Sequence, residues 1–366
     1  MHVGDFAGVL RRGEGVDGAT YVPVTTDTVT WGRLPCRADA PVLTVEPGAT
    51  IVIDTLSHEG LLPDQGSDPE AFFGAHGVPA HEVLDEARET TASAARDPER
   101  DGPHVVTGPI AVSGARPGDL LAVTIEDLTP RVPYGVISNR HGRGALPGEM
   151  PASDGNVSVF TPIAADAAGT WRGWLPGRDG GPAVAGFPLA PFLGIMGVAT
   201  ATDERAHSVP PGPHGGNIDV KELAVGSTVY LPVQVADALF YAGDPHFAQG
   251  DGEVALTALE ASLRATVTLE LIGERQALRA FGELAGPLGE TADFLIPTGM
   301  DADLDEAMRA CVRQAVAILG ARHGMEPHLA YAYLSAATDF RISQVVDLVQ
   351  GVHAMIRKSD FTATRA

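Results

Sequence analysis

One unit recurs along this chain: a β-rich run, a tight turn and a second β-rich run. It occurs at 41–54 and 109–126, both with a Pro-Gly turn, and in a looser form at 218–233. After the first turn, Ile51 and Ile53 alternate with more polar neighbours, a period of two that is typical of strands with one buried face. Each unit predicts a hairpin. Their recurrence predicts a mainly β protein whose core is a duplicated β-sandwich or barrel.

Composition supports this fold class and narrows the partners. Glycine and proline account for 43 and 28 of the 366 residues, which favours many short strands joined by turns. The formal net charge of -22 argues against nucleic acid or an anionic membrane as a partner. It suits a protein that handles a neutral or cationic small molecule.

The chain carries no sign of export or membrane insertion. Residues 1–5 lack a basic region followed by an apolar run, and no stretch reaches the length of a membrane span. The two cysteines, Cys36 and Cys311, are far apart and lack metal-type spacing, as expected in a reducing compartment. We therefore expect a cytoplasmic globular protein without membrane association.

Four parts are predicted along the sequence. They are an N-terminal β-sandwich part (1–130) with a helical excursion (69–100), a Gly/Pro-rich loop region that shapes the site (131–190), a β-barrel-like part that carries the site motifs (191–290), and a C-terminal α/β portion (291–366). The Gly/Pro-rich region holds three basic residues close together, namely Arg140, His141 and Arg143. A loop of that length in a compact domain often covers a site.

The C-terminal portion changes to a helical pattern. Apolar side chains recur at helical spacing between 303 and 320, where a glycine closes the pattern. Residues 327–338 predict a second helix, and 343–352 predict a strand or a short helix. We interpret this portion as a lid or a dimerisation element added to the β core.

The candidate chemistry is concentrated between Gly243 and Glu253. Asp244, His246, Gln249, Asp251 and Glu253 fall within eleven residues that also hold three glycines. Asp244 and His246 are two apart, so on an extended segment their side chains leave the same face. A solvated acidic turn is the alternative interpretation, because Asp-Gly pairs are common in hairpins. Functional residues often lie on loops, and this segment is the predicted site.

Taken in order, several segments resemble the acetamidase/formamidase family. They lie at 192–197, 214–223, 226–233, 243–253, 301–309, 342–347 and 351–356. The string at 243–253 is the most specific, and the resemblance extends from Pro41 to Phe361. It implies a duplicated β-sandwich and barrel with an appended α/β portion, an oligomer, and hydrolysis of a small amide such as formamide, acetamide or a lactam. It also implies a divalent metal ion near the acidic string. Where some members carry a cysteine, this chain has Ala255 or a neighbour, which disfavours a thiol nucleophile.

Amide hydrolysis requires an activated water, stabilisation of the developing oxyanion and a proton for the leaving nitrogen. A bound Zn²⁺ ion supplies the first two and lowers the pKa of its water to about 7. We predict Asp219, Asp244 and His246 as the metal ligands, and we also count His246 among the catalytic residues. The imidazole favours Zn²⁺, whereas Ca²⁺ or Mg²⁺ would prefer oxygen ligands alone.

The remaining roles follow from chemistry and spacing. Glu253 is the predicted general base and acid, and Lys221, two residues after Asp219, is predicted to polarise the carbonyl group. His214, Asn217 and Gln249 are predicted to hold the amide.

Each of these roles has an alternative. Lys221 can be a solvated strand residue or the ion-pair partner of Glu222, and His214 can simply cap a turn. Either His58 or Asp64, which follow the first repeated unit, can complete the metal sphere.

Two other classes of function remain open at this point. One is a non-catalytic β-sandwich module that binds a small ligand and holds a structural metal ion, and the other is an inactive oligomeric scaffold. A binding module would not need both a candidate base, Glu253, and a nearby imidazole, His246. The favoured prediction is a metal-dependent amidase that acts on a small neutral amide and forms a homodimer or a larger homo-oligomer.

Overall fold

The computed structural model describes residues 8–93, 95–178 and 181–361. Strands predominate, and helices are concentrated between 69 and 93 and after 273. The strands are β1 (Tyr21–Val22), β2 (Val29–Trp31), β3 (Arg33–Leu34), β4 (Leu43–Val45), β5 (Ala49–Asp54), β6 (Val105–Val112), β7 (Leu120–Pro130), β8 (Tyr134–Arg140), β9 (Asn156–Ala165), β10 (Trp171–Leu175), β11 (Ala185–Pro188), β12 (Phe192–Val198), β13 (Ala206–His207), β14 (Gly215–Asn217), β15 (Thr228–Pro232), β16 (Phe240–Ala248), β17 (Leu259–Glu260), β18 (Leu263–Ile272), β19 (Leu288–Glu290), β20 (Phe294–Asp301), β21 (Asp339–Gln344) and β22 (Gln350–Arg357). The helices are α1 (Pro69–Gly74), α2 (Asp85–Ser93), α3 (Glu274–Phe281), α4 (Leu304–His323) and α5 (Pro327–Ala337).

Two large sheets organise the described residues. The first has nine strands in the order β1-β5-β18-β7-β15-β19-β20-β22-β21. The second has eleven strands, eight of them in the order β11-β10-β9-β8-β17-β16-β12-β14, with β6 pairing to β16, β2 and β4. A single apolar core joins them, because Ile53 and Val123 of the first sheet and Leu193 and Phe240 of the second belong to one buried cluster. Each fully buried side chain of this type contributes about 1.5–3 kcal/mol.

The repeated units are not hairpins. In the first unit, β4 pairs with β6 in the eleven-stranded sheet, whereas β5 pairs with β18 in the nine-stranded sheet. The second unit likewise connects β6 to β7. In the third unit only the second run forms a strand, β15, and the first run is a connection from β14 in the other sheet. Each turn therefore carries the chain from one sheet to the other, as in a sandwich. The mainly β fold is confirmed, but the hairpin prediction is wrong, because alternation identifies the buried face of a strand and not its neighbour.

The Gly/Pro-rich region also differs from the expected surface loop. It contains β8, β9, β10 and β11, which extend one edge of the eleven-stranded sheet. β8 and β9 pair in register from Tyr134 opposite Pro162 to Arg140 opposite Asn156. The remaining long loop, 141–155, connects these two strands.

The C-terminal portion is α/β, as predicted. Asp303 caps α4 by accepting hydrogen bonds from the backbone N–H groups of Asp305 and Glu306 at 2.9 and 3.1 Å. Gly324 ends the helix with a φ of 62°. The segment predicted as a strand or short helix is divided between β21 and β22. The helices pack on the end of the nine-stranded sheet, where Leu319, Leu295 and Ile356 share a second core.

No helix in the described ranges combines the length and the apolar character needed to cross a bilayer.

A buried ion network connects α2 to the sandwich. Arg131 is fully buried, lies 3.4 Å from the Asp54 carboxylate and contacts that of Glu86. Arg264 pairs with the other oxygen of Asp54 at 2.6 Å. Removing one partner of a buried pair leaves an uncompensated charge, which is strongly destabilising.

We expect Arg131→Met to lower the free energy of unfolding by about 3–5 kcal/mol, measured by urea denaturation. The exposed Arg313 on α4 supplies the matched control, because Arg313→Met removes the same charge with an expected change within about 0.5 kcal/mol. Equal stabilities of the two variants would contradict the structural role of Arg131.

Candidate active site

A cleft of about 670 Å³ opens beside the eleven-stranded sheet. Its volume is typical of small-molecule sites, which span about 300–1,000 Å³. The buried polar residues that line it are His58, His104, Asn217, Asp244, Glu253, Thr257, Glu260 and Asp347.

The central strands of this sheet position the chemistry. β16 carries both Asp244 and His246, and β17 brings Glu260 directly opposite His246. Asp219 follows β14, whose partner β12 also pairs with β16. Glu253 lies in the loop between β16 and β17. The cluster thus combines residues of one short segment, 243–253, with residues that strand pairing brings close to that segment.

His246 is the centre of the cluster. Its Nε2 atom lies 3.1 Å from Asp244 Oδ2 and 3.1 Å from Glu260 Oε1, and its Nδ1 atom lies 3.8 Å from Asp219 Oδ1. Ligand atoms of Asp219, His246 and Glu253 all fall within 4.8 Å of one another. The structure therefore brings together the three predicted metal ligands and the predicted general base.

Asp244 also belongs to a second group of potential ligands. Its Oδ1 atom is 3.6 Å from His58 Nδ1 and 3.8 Å from His104 Nε2. Sequence reasoning considered His58 but missed both His104 and Glu260. The available signal for His104 was its position directly before β6, a strand in which every residue is buried.

Three acidic residues of the cluster have an unusual backbone conformation. The φ angles of Asp219, Asp244 and Glu253 are 48°, 50° and 47°, in the left-handed region that most L-residues avoid. Such residues cost about 1–3 kcal/mol each and tend to cluster at functional sites. The backbone is therefore strained where the candidate ligands are held.

Burial and mutual repulsion shift the pKa values of the cluster. Burial, together with the charge of Asp244, raises the pKa of Asp219 to about 7. Burial and the charge of Asp219 raise the pKa of Glu253 well above its usual value. Burial would lower the pKa of His246, but Glu260 and Asp244 raise it well above the ordinary histidine value. With all its carboxyl groups ionised, the cluster would hold more negative charge than its imidazoles balance, and a bound cation would offset that charge in place of protons.

The two outer histidines differ from each other in pKa. Burial would lower the pKa of His58, but Asp244 and Glu59 raise it to about 10. Burial lowers that of His104 to about 3, and its Nδ1 atom lies 2.9 Å from the Ser208 hydroxyl group. The two imidazoles that line the cleft thus differ in basicity, although both are buried.

Several buried ligand atoms have no hydrogen-bond partner among the described residues. They are both carboxylate oxygens of Asp219, Asp244 Oδ1, His246 Nδ1, His58 Nδ1 and Glu260 Oε2. Leaving a buried polar group unpaired costs about 1–3 kcal/mol, so native proteins rarely concentrate such atoms. Their convergence beside an open cleft fits a divalent metal ion, because carboxylate oxygen and imidazole nitrogen are donors that Zn²⁺ accepts.

The other predicted site residues are placed differently. Lys221 does not line the cleft; its ammonium group pairs with Asp251 at 2.8 Å. The Gln249 side chain donates hydrogen bonds to the backbone carbonyls of Asp219 and Ser343 at 3.0 and 3.1 Å. It therefore connects the two segments that carry these residues. The proposed catalytic role of Lys221 and the substrate-binding role of Gln249 stay predictions.

His214 directly precedes β14, and Asn217 is the last residue of that strand. Asn217 lines the cleft, and its Oδ1 atom has no hydrogen-bond partner among the described residues. His214 is buried, and burial lowers its pKa to about 4. Asp64 also lines the cleft, but its carboxylate pairs with Arg140 at 2.6 Å. Of the three predicted substrate-binding residues, Asn217 is the one that lines the cleft.

A sandwich that holds carboxylates and imidazoles beside an open cleft has the composition of a hydrolase active site. The chain belongs to the Acetamidase/Formamidase family, whose sequence model matches residues 81–203 and 196–358. These two ranges include every member of the cluster except His58.

Individual relatives agree with this assignment. The chain is 28% identical to a formamidase of Methylophilus methylotrophus over 282 residues, which are 66% of this chain and 67% of that protein. It is 30% identical to an acetamidase of Mycolicibacterium smegmatis over 268 residues, covering 56% of this chain and 65% of the relative. A crystal structure of an acetamidase from Yersinia enterocolitica has a TM-score of 0.72 and 25% identity, covering 96% of both chains.

Proposed function

We propose that this protein hydrolyses a carboxylic amide to the acid and ammonia, and that the reaction depends on a divalent metal ion. Membership of the family makes the protein an amidohydrolase. The relatives named as formamidase and acetamidase make formamide and acetamide the first substrates to test. In the reaction, water adds its oxygen to the carbonyl carbon, the C–N bond breaks, and the nitrogen leaves with a proton.

The observation that carries the metal proposal is the set of unpartnered buried atoms on Asp219, Asp244 and His246. These residues would hold the ion, with His58, His104 and Glu260 as further donors around Asp244 and His246. When bound, a divalent ion activates water and polarises the amide carbonyl. Zn²⁺ is the favoured ion because nitrogen donors are part of the set.

The chain supplies the proton transfers. Glu253 is buried, lines the cleft and has a raised pKa because of burial and the charge of Asp219. A carboxylate placed there can accept a proton from water and return it to the leaving nitrogen. Asn217 lines the same cleft, and its free side-chain oxygen can accept a hydrogen bond from the substrate N–H group.

The test is ammonia release from formamide, acetamide and longer primary amides, before and after dialysis against a strong chelator. We expect turnover in the metal-loaded protein, loss of turnover after chelation, and recovery when Zn²⁺, but not Mg²⁺ or Ca²⁺, is added back. Undiminished turnover in metal-free protein would refute the metal dependence alone. Amide binding without ammonia release would instead support a non-catalytic binding protein with a structural metal.

We also propose a homo-oligomeric assembly and a cytoplasmic location. A homodimer or larger oligomer agrees with the exposure of Leu329 and Tyr331 on α5, with 53% and 64% of their surfaces accessible. A cytoplasmic location agrees with two buried free cysteines, Cys36 and Cys311.

A further inference from the structure

The basic residues of the Gly/Pro-rich region have no role in the chemistry described so far. Arg140 and Arg143 nevertheless line the cleft, and Arg96 and His207 line it as well. These four side chains form the basic wall of the cleft. In a chain with a formal net charge of -22, a local concentration of cations beside the site is a feature that needs an explanation.

The arginines of the basic wall differ in their partners. Arg140 is balanced, because its guanidinium group pairs with Asp64 at 2.6 Å and with Glu59 at 3.4 Å. Arg96 instead donates to the backbone carbonyls of Gly102 and Asp101 at 2.8 and 3.2 Å. Within the described ranges, it has no carboxylate at ion-pair distance.

The side chain of Arg143 has neither a hydrogen bond nor an ion pair within the same ranges, and it is exposed. Apart from the buried carboxyl groups, the acidic residues that line the cleft are Asp64, Asp101 and Glu99. Asp101 is paired with Arg33 at 2.6 Å, so Glu99 alone of these has no described ion pair. Arg96 and Arg143 thus line the cleft without an ion-pair partner among the described residues.

Two further observations describe the electrostatics and size of this space. Burial lowers the pKa of His207, and the charges of Arg33, Arg143 and Arg96 lower it further although Asp101 opposes them. The cleft volume of about 670 Å³ is in the range that holds ligands much larger than acetamide. The cleft therefore has both the space and the charge for a second polar group on the substrate.

We infer that the natural substrate is an amide that also carries a carboxylate, with the amide at the buried cluster and the carboxylate at Arg96 and Arg143. This inference rests on the proposed function and specifies its substrate class. An arginine fork binds a carboxylate through two parallel hydrogen bonds.

The test compares two primary amides of equal chain length: the monoamide of a five-carbon dicarboxylic acid, and the neutral straight-chain pentanamide. We expect kcat/KM to favour the anionic amide by about 10- to 100-fold, as for hydrogen bonds to charged groups. Arg143→Gln should reduce that preference by about tenfold. Arg313→Gln on α4 makes the same charge change outside the cleft, and it should leave the preference unchanged.

Equilibrium binding of the five-carbon dicarboxylate is measured in the same three proteins, because it does not depend on turnover. We expect Arg143→Gln to weaken this binding by about tenfold. The inference would be overturned if the unmodified protein preferred the neutral amide, or if Arg143→Gln left the preference for the anionic amide intact. In either case, ammonia release would still support the proposed function. Binding that depends on Arg143 without turnover of any amide would refute the proposed function and retain the carboxylate site. Neither binding nor turnover would refute both.

Discussion

His246→Ala should lose both bound metal and ammonia release, whereas Glu253→Gln should lose most of its activity and keep the metal. The prediction for His246 follows from its central position. One ring nitrogen contacts Asp244 and Glu260 at 3.1 Å, and the other faces Asp219 at 3.8 Å. Without the imidazole, the metal ion loses one of its ligands and is released. The carboxylates around it then repel one another without a counterion. Turnover should fall to the uncatalysed background.

Glu253→Gln preserves the shape of the side chain but removes the proton acceptor. Loss of general acid–base assistance typically costs about 10²- to 10⁴-fold in rate. The carboxylate is not essential for the ion in our assignment, because Asp219, Asp244 and His246 remain. Metal stoichiometry should therefore stay near that of the unmodified protein, and the loss should appear in kcat.

Elemental analysis and steady-state kinetics on purified variants test the two roles side by side. His328→Ala is the control for His246, because His328 is exposed on α5; it should match the unmodified protein in both measurements. If Glu253→Gln is metal-free while His246→Ala retains its ion, the two roles must be exchanged. Retention of metal and activity in both variants would refute the site.

The sequence predicts the elements of this fold better than their pairing. Alternation at Ile51 and Ile53 identifies a strand with a buried face, and that strand forms as β5. Nothing in the alternation indicates that β5 pairs with β18, more than 200 residues later, rather than with β4 beside it. Pairing depends on how two faces pack across a core, which is a property of the whole chain. The strands of the Gly/Pro-rich region were missed for a related reason, because frequent turn residues also separate short strands.

The same limit applies to the site. Asp244, His246 and Glu253 lie in one string, so sequence reasoning finds them together. Glu260 reaches His246 only because β17 lies opposite β16, and this register cannot be read from either strand alone.

The placement of Lys221 illustrates a different limit. A spacing of two residues places side chains on one face only when the backbone is extended. At Asp219 the φ angle is 48°, so the chain turns there and the rule does not hold. The Lys221 side chain accordingly pairs with Asp251 at 2.8 Å, although the spacing suggested a shared face with Asp219.

Gly194 provides the second large expected effect, because the cluster leaves no room for a side chain at this position. A Cβ atom at Gly194 would lie 2.5 Å from Asp219 Oδ1, 2.7 Å from Asp244 Oδ2 and 2.7 Å from His246 Cε1. The backbone of β12 cannot easily withdraw, since its neighbours Leu193 and Ile195 pair with β16. The Gly194 carbonyl also accepts hydrogen bonds from the N–H groups of Ile218 and Asp219 at 3.0 and 3.3 Å. One added methyl group must therefore displace the candidate metal ligands themselves.

We expect Gly194→Ala to reduce kcat/KM for the best amide by at least about 10²-fold, since a displacement of about 1 Å costs that much. Bound metal should fall in parallel, whereas the circular dichroism of the sheets should be preserved. The φ angle of Gly194 is not positive, so alanine introduces steric conflict without backbone strain. Gly74→Ala at the end of α1 is the matched control, because a Cβ atom there meets nothing within 4 Å. If Gly194→Ala keeps its full metal content and an activity within about twofold of the unmodified protein, then Asp219, Asp244 and His246 do not hold the ion together. Displacing three shared ligands should cost far more than twofold in activity.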